Sequence, residues 1–165
     1  MEARAKLLGH PIHQMLIVFP LGLLAMGVIF DLIHFATEEA VFAAVAYWMM
    51  VAGIAGGLLA APFGFIDWLG IPRATRAWRI GALHGGGNLV VVALFLASVW
   101  LRTNAPLPLP TVAYVCSFAG AALALVTGWL GGELVNRLGI GVAEEANVDA
   151  PSSLHTDRAP AHRVP

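Results

Sequence analysis

Apolar residues gather into four long stretches, roughly 13–35, 40–66, 77–101 and 109–136, and the few charges lie between them. Each stretch is long enough, at about 1.5 Å per helical residue, to cross a hydrocarbon core of about 30 Å. Backbone amides inside a bilayer must find partners within their own segment, so runs of this length predict helices. The pattern therefore predicts an all-α polytopic membrane protein, a four-helix transmembrane bundle over residues 1–142. From Val142 the sequence VAEEANVDAPSSLHTDRAPAHRVP loses apolar periodicity and mixes Pro, Ser, Ala and both charge signs. Such a segment buries too little surface to offset its ordering entropy, so 143–165 is expected to be a disordered tail in which His155 and His162 are solvated.

Composition agrees: 59% of residues are hydrophobic, 12% are charged and the mean hydropathy is +0.79. The first apolar run exceeds a signal-peptide core of about 7–15 residues and no clear small-x-small cleavage site follows it, so the first helix is expected to be retained. A single cysteine, Cys116, excludes a disulfide framework and any Cys-x-x-Cys motif. A formal charge of −1 and a pI near 6.6 give no basic patch for nucleic acid.

The basic residues are lopsided. Arg4, Lys6, Arg73, Arg76, Arg79, Arg137, Arg158 and Arg163 fall on one side of the four helices, and only Arg102 falls on the other. Cytoplasmic loops retain Lys and Arg, so both termini are expected inside a bacterial inner membrane, with the loops at 36–40 and 102–110 outside. Tyr47, Trp48, Trp100 and Tyr114 would then form the outer aromatic belt, and Trp68, Trp78 and Trp129 the inner one. Glycines four apart, Gly53 with Gly57, Gly81 with Gly85 and Gly128 with Gly132, allow close helix approach, either within the bundle or across a homodimer seam.

Ionisable groups within a membrane are expensive, so their placement carries information. The first helix opens with His10 and His13 in GHPIH, where Pro11 suits the first helical position. The second ends at Asp67; the third carries His84 and Asn88 in its first turns; the fourth ends in GGELVNR, with Glu133, Asn136 and Arg137. Odd helices thus enter with histidine and even helices leave with a carboxylate. Two parallel hairpins related by an axis along the membrane normal would gather both kinds of group near one depth. Haem b between His13 and His84, with the bare stretch Gly85–Gly87 admitting something flat, is one chemistry that fits; Asp67, Asn88 and Glu133 would orient the imidazoles. A transition metal or metal pair held by His13, His84, Asp67 and Glu133 is a second. A cofactor-free cluster that only sets helix packing is a third, and a proton or solute path from Glu133 and Asp67 towards Asp31 a fourth. At the far end of the first helix, Asp31 and His34 lie one turn apart and are expected to end that helix at the interface.

GHPIHQMLIVFPLGL with the later Asp31, GLLAAPFGFIDWLGIP, ALHGGGN and GWLGGELVNRLGIGV together resemble the bacterial membrane-protein family catalogued as domain of unknown function 2231, over about residues 7–142. The resemblance implies a four-helix integral membrane protein whose relatives sometimes occur beside Rieske-type iron–sulfur modules, and hence redox company. It marks His10, His13, Asp31, Asp67, His84, Asn88 and Glu133 as motif positions without giving any of them a role. Gln14 stands where many relatives have proline.

Overall fold

Pro11 sets the start of the first span. In the computed structural model, which describes residues 1–154, Pro11 is the N-cap at φ −66° and ψ 119°, one position earlier than the sequence suggested, and the helix opens at Ile12. Pro20 has no N–H to offer the Leu16 carbonyl, and the helix is broken nearby at Ile17 into α1 (Ile12–Leu16) and α2 (Val18–Thr37). Glu38, left-handed at φ 59°, stops α2 by donating its N–H to the His34 carbonyl. α3 (Ala40–Trp68) follows. α4 (Arg76–Arg102) begins at the Thr75 cap, whose hydroxyl accepts from the Trp78 N–H at 3.1 Å. α5 (Thr111–Gly132) continues into a π-helical turn over Glu133–Arg137. The four spans Ile12–Thr37, Ala40–Trp68, Arg76–Arg102 and Thr111–Arg137 are each long and apolar enough to cross a membrane.

Ahead of the first span lies an arm that the hydrophobic pattern did not reveal. β1 (Lys6–Leu7) and β2 (His10–Pro11) pair antiparallel, through a two-residue turn in which Leu8 and Gly9 both have positive φ. The arm lies across one end of the bundle. The Asp67 carboxylate accepts the N–H groups of Arg4 and Ala5 at 2.7 and 2.9 Å. The N-terminal ammonium donates to the Gly139 carbonyl at 3.0 Å, and the Gly141 N–H donates to the Met1 carbonyl at 2.9 Å. Both ends of the membrane domain therefore lie together, at the histidine end of the bundle. Residues 143–154 contain no helix or strand; His155 and His162 lie outside the described residues.

The two hairpins, α1–α3 and α4–α5, repeat one another. Asp31 and Arg102 are 71 residues apart, and the same interval relates His13 to His84 and Leu24 to Phe95. A second constant interval relates Tyr47, Gly53, Ala60 and Gly64 to Tyr114, Gly120, Thr127 and Gly131. The contacts repeat with the residues. A Cβ on Gly53 would come within 2.7 Å of the Leu24 side chain, and one on Gly120 within 2.9 Å of the Phe95 ring. Hydrocarbon offers no hydrophobic drive for helix association, so bare backbone facing a bulky neighbour is what lets each hairpin close. Leu24, Ala46, Met50, Ile54, Val91 and Phe95 form the shared core. Gly57 and Gly81 pack inside the bundle against Val92 and Trp68, whereas Gly85 and Gly128 face open space.

At the end opposite the arm, the halves meet through charge. Arg102, expected in an exposed loop, closes α4 in a buried bidentate pair with Asp31, both bonds 2.6 Å. Asp31 therefore does not pair with His34, whose Nδ1 instead bonds the Glu39 carbonyl. Ser117 donates to Asp31 at 3.2 Å, Ser98 accepts from the Arg102 Nε–H at 3.2 Å, and the guanidinium lies 4.8 Å from the Tyr114 ring centre. Tyr114 is thus a buried partner of Arg102 rather than a belt residue, while Trp48, Trp100 and Trp129 are exposed.

Candidate functional site

His13, two residues after Pro11 in the first turn of α1, lays its ring on α3. Its Nδ1 is 3.0 Å from the Ala60 carbonyl, and a Cβ on Gly64 would come within 2.8 Å of the ring. His84 repeats this on the second hairpin: its Nδ1 is 2.8 Å from the Thr127 carbonyl, and a Cβ on Gly131 would lie 3.1 Å from its Cε1. A carbonyl can only accept, so Nδ1 carries a proton in both rings, and in the neutral imidazole Nε2 is left with the lone pair. The ring centres are 6.4 Å apart with their planes at 90°. The sequence thus places the two imidazoles together correctly, and their equivalence under the internal repeat explains why they share a depth.

Asn88, one turn beyond His84, donates from Nδ2 to His84 Nε2 at 3.2 Å and accepts from the Thr127 hydroxyl at 2.9 Å. His13 Nε2 has no hydrogen-bond partner among the described residues, and it is not a sealed buried atom.

The carboxylates do not join the histidines. Asp67 is engaged by the arm. Glu133 accepts from Arg76 at 2.9 Å in an ion pair whose arginine is half exposed. The reason is visible in the repeat: LGI recurs at 69–71 and 138–140, but two more residues separate it from Gly131 than separate its first copy from the matching Gly64. The π turn absorbs them, with the Leu138 N–H bonding the Glu133 carbonyl at 3.1 Å. Counted back from LGI, Asp67 matches Asn136 rather than Glu133. His10 lies in the exposed arm, 3.2 Å from the Ser153 hydroxyl. Among the described residues no three His, Cys, Asp or Glu side chains converge on a metal-sized site, so the four-residue ligand set expected from sequence is not assembled. Nor are Glu133, Asp67 and Asp31 linked into a path; each is engaged separately.

Sequence reasoning missed the Asp31–Arg102 pair and the Ala60 and Thr127 carbonyls. The 71-residue interval shared with the histidines was the available signal for the first; main-chain partners leave none.

Four membrane-spanning helices in two repeated hairpins, with a polar site between them at one end, define an integral membrane protein embedded in the lipid bilayer. A family described as predicted membrane protein, DUF2231, matches residues 9–144, and the chain belongs to it. No curated protein and no solved structure matches the chain.

Proposed function

We propose that this protein is a small redox component of the bacterial inner membrane that holds haem b between His13 and His84. One observation carries the reading: each imidazole is fixed through Nδ1 to a main-chain carbonyl of its own hairpin. That is the arrangement by which ligating histidines are oriented, because it commits Nε2 to the metal. The ring separation of 6.4 Å fits as well. Two imidazoles at that spacing would both be within reach of a single bound metal.

Two protein ligands suit haem better than a bare transition metal, since a porphyrin brings four nitrogens of its own whereas structural metal sites ask about four of the protein. Gly85, Gly86 and Gly128, with nothing within 4 Å of an added Cβ, leave the helix surfaces beside His84 bare. The haem, when bound, would supply one-electron transfer; His13 and His84 would hold and orient it. A Rieske-type protein is the partner class that the family's company suggests. The distribution of Arg and Lys supports a cytoplasmic side for both termini, and with them the site.

A second reading has its own support. Asn88 already occupies His84 Nε2, which favours a cofactor-free cluster that fastens the helices. Expression with a haem supply, followed by absorption spectroscopy and iron analysis of purified wild type, His13→Gln and His84→Gln, separates the two. The haem reading expects a Soret band in the wild type that either substitution removes or shifts and weakens. The fastening reading expects colourless protein throughout and a loss of about 1–2 kcal/mol per substitution.

A further inference from the structure

The two histidines are equivalent under the internal repeat, but their neighbours are not. One turn after His13 stands Ile17; one turn after His84 stands Asn88. The carbonyl that holds His13 belongs to Ala60, and the one that holds His84 belongs to Thr127. Among the described residues a polar pair exists beside His84 and not beside His13. The Thr127 hydroxyl, whose one proton lies within reach of Asn88 Oδ1 at 2.9 Å and of the Ala124 carbonyl at 3.1 Å, donates to the nearer Asn88, and Asn88 Nδ2 donates to His84 Nε2 at 3.2 Å. Thr127 is itself buried, and Gly87 lets it sit there: a Cβ on Gly87 would come within 2.6 Å of the Thr127 methyl. Because His84 Nδ1 carries its proton to the Thr127 carbonyl, the lone pair on Nε2 is the one a metal would need, and Asn88 is sitting on it.

We infer that Asn88, steadied by Thr127, is a latch on the His84 side of the haem site. The inference rests on the haem reading above. His13, whose Nε2 has no partner among the described residues, would hold the haem without rearrangement; His84 would hold it only once the Asn88 amide had turned aside. Asn88 is a positioning residue: it bonds His84 and would not itself hold the haem. Its presence on one hairpin alone makes the two ligands unequal, although the repeat would make them alike.

The test titrates ferric haem into full-length, haem-free protein in detergent, following the Soret band, for wild type, Asn88→Leu and Thr127→Val. Asn88→Leu keeps the side chain's size and removes the donor. Thr127→Val leaves Asn88 in place but frees it. Each should bind ferric haem more tightly, by about five-fold for Asn88→Leu, which is what relief from one ordinary competing hydrogen bond amounts to. The gain should be smaller for Thr127→Val, and loading should be faster in both. The melting temperature of the haem-free protein should move the opposite way, downwards. A merely structural residue would weaken both haem binding and stability when removed. If the wild type takes up haem and both variants bind it equally or less tightly, the latch is wrong and the haem site stands. If neither the wild type nor either variant takes up haem, the haem reading fails and the latch fails with it.

Discussion

Replacing Asp31 by leucine should be the most damaging single change in the half of the molecule remote from the histidines. The carboxylate is 0% exposed and accepts two bonds of 2.6 Å from Arg102 and one of 3.2 Å from Ser117. Its removal leaves a guanidinium with a side-chain exposure of 2% and no opposing charge. Breaking such a pair from one side is worth about 3–5 kcal/mol. For a chain of this size that corresponds to a fall in melting temperature of roughly 6–20 °C. Arg102→Met alone strands the carboxylate and should act similarly. The double variant Asp31→Leu, Arg102→Met removes both charges and should recover at least half of the loss, because most of the single-variant effect is the uncompensated partner. The assay is thermal unfolding in a mild detergent of all four proteins. Single variants within about 1 kcal/mol of wild type, or a double variant whose loss equals the sum of the singles, would refute the assignment of this pair as the clasp between the hairpins.

Three further outcomes follow from the same geometry. Reporter fusions at Arg73 and Asn104 should be active in the cytoplasm and the periplasm respectively; a periplasmic reporter active at Arg73 would reverse the orientation. Truncation after Val142 should leave the melting temperature in detergent within a few degrees of wild type, since the described tail contacts the rest through exposed bonds such as Ser153 to His10; a large fall would show that the tail is a structural part. Gly64→Ala drives a methyl to within 2.8 Å of the His13 ring and should lower stability by about 1–3 kcal/mol, whereas Gly128→Ala, which meets nothing, should be near neutral or slightly stabilising; equal effects on the thermal midpoint would contradict the packing described.

The spans were legible because length and hydropathy alone specify a membrane helix, and their boundaries moved by only a few residues. The convergence of His13 and His84 was legible from matched depth on odd helices. Asp31 and Arg102 were not, because a charge at a helix end reads as an interfacial group unless its partner is known; only the repeat interval pairs them. Glu133 looked like the counterpart of Asp67 by its place near the helix end, and the π turn moved it off register to meet Arg76. The arm was missed because Lys6–Pro11 is too short to show alternation, although Gly9 marked a turn. Main-chain carbonyls of Ala60 and Thr127 carry no residue signature at all, yet they fix both imidazoles.

We propose that two imidazoles, one from each half of a repeated fold, hold one haem. Electron paramagnetic resonance on oxidised, haem-supplemented full-length protein addresses it most directly, because six-coordinate iron with two imidazole ligands is low-spin. The account predicts one low-spin ferric haem per chain in the wild type, and loss of that signal, through high-spin iron or no haem, in both His13→Gln and His84→Gln. A haem-free wild type, or a low-spin signal that survives either substitution, would contradict it.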